Sequence, residues 1–222
     1  GYSYAMQTFD VQRQLEGGVR VINLDIHLYN NEIVMCHENC NGSPTVNYGT
    51  ERKKLLDTLR VIKSFLDKNP TEIVTLVFES YVRNSAKLEA AFKEAGLSSL
   101  AFIPKDAGIS QMPTLKKMIA DNKRLVVLSQ DAADASTTSV TKAESNYFVE
   151  NLYGFDFSLD NYAVTARNLP LDSADRGFML NHFGTVTSSL NAVRNNGVGI
   201  LGNRALVTAK KAAKIGRASC RE

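Results

Sequence analysis

Nowhere does the chain hold an uninterrupted apolar run of about 18 residues, so the usual signature of a membrane-spanning helix is missing. Excess charge is missing too. The 222 residues carry 26 Lys and Arg against 23 Asp and Glu, a net charge of +3. Two of those three charges come from Lys214, Arg217 and Arg221 against Glu222. The segment Lys214–Glu222 has the sequence that a common sequencing-library adapter gives on translation, so it is expected to be an assembly artefact and no part of the fold. What precedes it is nearly neutral, which argues against a nucleic-acid partner. Cysteine is scarce: of three, Cys220 lies in that tail, leaving Cys36 and Cys40. No initiator Met or leader opens the chain, and Gly1-Tyr-Ser-Tyr reads as interior sequence. Disorder is excluded by a hydrophobic content of 44%.

The stretch Gly18–Cys40 organises the rest. Val19–Leu28 is rich in β-branched residues and reads as a buried strand. Alternation places Asn23, Asp25 and His27 on one face and Ile22, Leu24 and Ile26 on the other. Polar groups on a buried face are costly unless a metal, ligand or hydrogen-bond network satisfies them. Asn30-Asn31 makes a turn, and a second strand, Ile33–Met35, leads to His37.

Before this stretch, Phe9–Leu15 is expected to be a short helix. After it, Gly42–Thr50 reads as a loop and Glu51–Asp67 as a helix, with Leu55, Leu56, Leu59, Ile62, Phe65 and Leu66 at helical spacing. Glu72–Glu79 is a buried strand with Glu79 at its end. Ala86–Ala95 and Thr114–Ala120 are short helices, and Arg124–Ser129 is a strand. Gln130–Asn146 is polar and weakly patterned and is expected to be a long surface loop. Aromatic residues cluster between Tyr147 and Tyr162, where core packing is favoured over a membrane- or substrate-facing rim. Gly177–Phe183 is the last clear strand, followed by a helix near Ser188–Asn195. Strands alternating with helices predict βα units and a parallel sheet in one α/β domain.

At these residues the chain resembles the catalytic X domain of phosphatidylinositol-specific phospholipase C and its phosphodiesterase relatives. The resemblance rests on the Gly18-Val19-Arg20 strand start, on Asn69-Pro70-Thr71-Glu72-Ile73-Val74 leading to Phe78-Glu79, on Met112-Pro113-Thr114-Leu115 leading to Lys123-Arg124-Leu125-Val126-Val127, and on Asn181-His182-Phe183. It covers roughly residues 5 to 205. It implies a TIM-type (β/α)₈ barrel over residues 1–213, incomplete at both ends with the first and last strands missing. A first catalytic His followed by Asn is expected just upstream of Gly1.

The resemblance also assigns the chemistry. His37 matches the second catalytic His, suited to protonating a leaving oxygen near neutral pH. Asp25 and Glu79 match positions that are basic in metal-independent members and acidic in metal-dependent ones. With Asn23 they form a hard oxygen set for a divalent cation, Ca²⁺ or its alternative Mg²⁺. Many metal-dependent members carry Glu where Asn23 stands, and an amide cannot act as the base. For an inositol lipid, the substrate's own hydroxyl attacks first and gives a cyclic phosphate. A structural role for Asp25 and Glu79 as ion-pair partners is the plain alternative; His27 is left open between site and rim, and His182 is expected to be structural. The implied partner is a phospholipid or other phosphodiester, met by a monomer at a membrane surface.

Cys36 and Cys40 flank His37, and the turn-forming Asn39, Asn41 and Gly42 allow a local disulfide. That disulfide is expected, and it would imply an exported, oxidising setting. Two free thiols are the alternative; zinc is disfavoured because this Cys–His–Cys group lacks a second ligand pair. Two other functions compete with the phospholipase-like reading. One is a glycerophosphodiesterase-type barrel, which normally has Glu at the position of Asn23 and Asp after the His, where Glu38 stands here. The other is a catalytically silent barrel that binds anionic head groups.

Overall fold

A computed structural model describes residues 9–36, 40, 53–103, 112–136, 139–150 and 177–179. These fall into two compact units, one spanning Gln7–Tyr147 and a second that includes Phe148–Glu150 and Gly177–Met179. His37, His182, the helix expected at 188–195 and the segment 214–222 lie outside the described residues.

In the first unit, helix α1 (Val11–Glu16) is capped by Asp10, whose side chain accepts from the Arg13 amide. Strand β1 (Val21–Tyr29) follows, and Asn30 and Asn31 turn the chain with φ of 47° and 66°. Two successive left-handed residues are what a two-residue hairpin needs, and Asn tolerates them. The turn delivers β2 (Glu32–Met35), antiparallel to β1 with Leu28 opposite Ile33 and His27 opposite Val34. Then come β3 (Lys53–Lys54), α2 (Leu55–Lys68), β4 (Val74–Ser80), α3 (Ser85–Glu94), α4 (Leu115–Ala120), β5 (Leu125–Ser129) and β6 (Thr141–Ala143).

Together they make a six-stranded sheet of order β3-β2-β1-β4-β5-β6, in which β1, β4, β5 and β6 run parallel. In the second unit, β7 (Phe148–Glu150) pairs parallel with β8 (Gly177–Met179). The fold is therefore mixed α/β with a parallel core. The described strands do not by themselves close the ring expected of an eight-stranded barrel.

One face of the sheet packs on the helices. Ile22 and Ile26 of β1, Leu76 and Phe78 of β4, and Leu125 and Val127 of β5 form one buried cluster with Leu55, Leu59, Ile62 and Leu66 of α2 and Leu88 and Phe92 of α3. The α2 residues recur at three- and four-residue intervals, so one stripe is buried while Lys and Arg stay outside. The alternate residues, Asn23, Asp25 and His27 on β1 with Val77 and Glu79 on β4, occupy the opposite face. That face is more open than the sequence implies: Asn23 is exposed and Asp25 and His27 are half-buried.

Two expectations need correction. The helix placed at Glu51–Asp67 begins at Leu55, because Lys53 and Lys54 pair with β2 and Lys54 forms an ion pair with Glu32 at 2.7 Å. Gln130–Asn146 is not a surface loop, since it contains β6 and two short 3₁₀ turns. Ser139, Val140, Thr141, Lys142 and Glu144 are buried there. A three-residue strand that buries polar side chains offers no apolar period to read.

The motif residue Arg20 acts at the N-terminal end of the sheet, away from the acids. It donates to the Leu15 carbonyl and to Glu72 Oε2 at 2.7 Å, and lies over the Phe65 ring at 4.7 Å. The hydrogen bond from Arg20 holds the Glu72 carboxyl below its ordinary value of 4.5. A depressed native value means that this contribution to stability is complete above the unfolded-state pKa and fades as pH falls through the native one. Both side chains are partly exposed, so the pair is worth only about 0.2–1 kcal/mol. Glu72→Gln should lower the urea midpoint slightly at neutral pH, and the two proteins should converge in acid.

Candidate functional site

Parallel pairing of β1 with β4 sets Asp25 directly opposite Glu79, with Asn23 opposite Val77 in the next row. Paired residues on adjacent strands point to the same face, about 5 Å apart in backbone spacing. The register thus brings the two acids together near the C-terminal end of β4, where enzymes built on parallel strands gather their working groups. Asn23 shares their face but stands two residues toward the N-terminal end.

Among the described residues Glu79 has no Lys or Arg partner. Its contact is the Tyr81 hydroxyl, which donates to Oε1 at 2.6 Å. The ring of Tyr81 stacks on that of His27, with centroids 4.4 Å apart and planes 12° from parallel. Sequence reasoning missed Tyr81, although its signal was present: residues 79 and 81 share a face by the same alternation that links Asp25 to His27. His27 is thereby placed beside the acid pair rather than at a distant rim.

Beyond β4 a shallow depression of about 300 Å³ is lined by Glu79, Ser80, Tyr81, Gln130, Asp131 and Ala132. Its floor is built by the chain leaving β5. Ser129 Oγ donates to the buried Asp134 carboxylate and accepts from the Asp131 amide. Asp134 also accepts from the Asn84 amide, which ties the start of α3 to this turn. Asp131 accepts from Arg83 at 2.9 Å. Glu79 and the ion-paired Asp131 therefore both line the depression. Further along, burial lowers the pKa of the Lys142 ammonium against the opposing pull of Glu89, and Lys142 donates to the Ser136 carbonyl.

Cys36 and Cys40 are joined as a disulfide, as expected, with Cα atoms 5.7 Å apart. Extending the β1–β2 register one residue past Met35 sets Cys36 opposite Asp25. The disulfide therefore flanks the acid pair from the side of β2.

The donor set suits a hard divalent cation. Two carboxylates on neighbouring strands offer oxygens from one face, the Asn23 carbonyl lies in the adjacent row, and the partial exposure of all three leaves room for water ligands. No described cation competes for Glu79, whose single hydroxyl contact leaves lone pairs open.

Solved structures share the fold. Phosphatidylinositol-specific phospholipase C of Staphylococcus aureus superposes with a TM-score of 0.56 at 15% identity, covering 95% of this chain and 74% of that one. The enzyme of the same name from Listeria monocytogenes gives 0.56 at 17% identity, covering 94% and 74%.

Sequence comparison then fixes the family. The model described as PI-PLC X 1 matches residues 2–196, and the chain belongs to the PI-PLC X-domain family. A PI-PLC X domain-containing protein of Arabidopsis thaliana is 33% identical over 182 residues, covering 79% of this chain and 41% of that protein. A protein of Arthroderma benhamiae, named as an uncharacterized secreted protein, is 28% identical over 169 residues, covering 75% and 35%. The chain thus spans less than half the length of these two relatives. The family is the first of those considered from sequence, not the glycerophosphodiesterase type. Among the described residues no helix is long and apolar enough to cross a membrane.

Proposed function

We propose that the protein is a phosphoric diester hydrolase that cleaves a phospholipid-type phosphodiester by metal-assisted acid–base chemistry. The observation that carries this reading is the register pairing of Asp25 with Glu79 in a chain of the PI-PLC X-domain family. Asp25 and Glu79, with Asn23 as a further donor, would hold Ca²⁺ or Mg²⁺. When bound, the ion supplies positive charge to a phosphate oxygen and acidity to the attacking hydroxyl.

The chain's own groups do the rest. Tyr81 orients Glu79 through its hydroxyl and is a positioning residue. His37, which follows β2 and lies between the two disulfide cysteines in sequence, protonates the leaving oxygen. A lipid substrate implies contact with a bilayer surface, here by a protein acting as a monomer. The Cys36–Cys40 disulfide and the name of one fungal relative favour an extracellular setting.

Two experiments bear on this. The full-length protein, given phosphatidylinositol vesicles, should release a cyclic inositol phosphate visible by phosphorus NMR. Cleavage of glycerophosphocholine with phosphatidylinositol left intact, or binding of vesicles without turnover, would overturn the assignment. Tyr81→Phe should raise the Ca²⁺ concentration needed for half-maximal rate by about tenfold, as loss of an outer-sphere partner usually does, with the rate at saturation little changed. An unchanged Ca²⁺ requirement would remove Tyr81 from the site.

A further inference from the structure

Apart from the acid pair, the described residues contain one group of metal-ligating atoms that three side chains bring together. A ring nitrogen of His27 and the Sγ atoms of Cys36 and Cys40 all lie within 4.8 Å of one another. Strand pairing accounts for the convergence. His27 stands opposite Val34 in the hairpin, and Cys36, two residues beyond Val34, points to the same face. Cys40 is brought to Cys36 by the disulfide. The imidazole comes from the neighbouring strand, not from the loop between the cysteines, which is why the spacing of Cys36, His37 and Cys40 concealed it.

We propose that reduction of this disulfide converts the group into a zinc site made by His27, Cys36 and Cys40. Two thiolates and an imidazole are the donors that Zn²⁺ prefers over Ca²⁺ or Mg²⁺, and three protein ligands leave a fourth position for water. Bond lengths of about 2.3 Å to sulfur and about 2.0 Å to nitrogen put the ligand atoms of a tetrahedral site about 3.3–3.8 Å apart. The imidazole is therefore within roughly an ångström or so of its place, and the main movement is separation of the two sulfurs once their bond is broken.

The chemistry balances. A dithiol reductant gives two electrons and two protons, the S–S bond breaks to two thiols, and the reductant leaves as its own disulfide. Zinc binding then releases the two thiol protons. Disulfide and zinc site are mutually exclusive, so zinc protects the dithiol from reoxidation, and oxidation expels zinc. The site does not depend on the acid pair or on the proposed catalysis, and its test reads metal binding directly.

The full chain, reduced with a non-chelating phosphine under nitrogen and freed of reductant, is titrated with Co²⁺ and then with Zn²⁺. One Co²⁺ per chain should bind with a thiolate-to-metal charge-transfer band in the near ultraviolet, and Zn²⁺ should displace it. The oxidised chain should show no such band. His27→Ala and the bulkier His27→Gln should each weaken binding by more than the roughly 10–100-fold that loss of an outer-sphere partner costs. Cys36→Ser should abolish the band, and His37→Ala should leave it in place. Absence of the band in the reduced protein would overturn the proposal. So would equal binding by the oxidised protein, unchanged affinity in both His27 variants, or loss of the band on removing His37.

Discussion

His37→Ala is expected to lower phosphodiester turnover by about 10²–10⁴-fold, the usual worth of a positioned general acid, while leaving folding intact. The leaving oxygen must gain a proton as its bond to phosphorus breaks, and without the imidazolium, water must supply it. His37 follows strand β2, whose partner strand β1 carries Asp25, so the hairpin links the imidazole to the acid pair through a short length of chain. The variant's Ca²⁺ requirement should stay where it was. A variant that retains its rate, or one whose Ca²⁺ requirement rises in parallel, would show that His37 does something other than proton transfer.

Asp25→Asn acts on a different quantity. The amide is nearly isosteric with the carboxylate and keeps one carbonyl oxygen, but the site loses a negative charge. Affinity for a hard cation follows ligand charge, so the Ca²⁺ concentration for half-maximal activity should rise by at least about tenfold. Raising Ca²⁺ should restore much of the rate, because proton transfer by His37 is untouched. Glu79→Gln should behave alike, since the two residues face each other across β1 and β4. This split, a shifted metal requirement with a recoverable maximum, separates a ligand from a proton donor. If both variants lose rate without any shift in Ca²⁺ requirement, the acids act on the substrate directly.

The faces that carry Asp25 and Glu79 were legible because each residue lies on a strand with a readable alternation. Ile22, Leu24 and Ile26 define one face of β1, so the other face follows, and the same holds for Leu76 and Phe78 on β4. The hairpin was legible from Asn30-Asn31, whose positive φ angles are local chemistry. Helix α2 was legible from its apolar stripe. Strand β6 was not, because Thr141 and Lys142 are buried without an apolar pattern and are paired in place by β5. The stacking of Tyr81 on His27 and the nearness of His27 to the cysteines were not, because both depend on which strands lie side by side. Period gives faces; register between strands comes only with the fold.

The most direct measurement is turnover of phosphatidylinositol vesicles by the full-length protein before chelation, after it, and after Ca²⁺ is returned. A divalent ion held by Asp25 and Glu79 requires that chelation abolish activity, that Ca²⁺ restore it, and that Asp25→Asn need more Ca²⁺ for the same recovery. Full activity in the chelated protein would contradict metal-assisted cleavage and leave the paired acids without their proposed role.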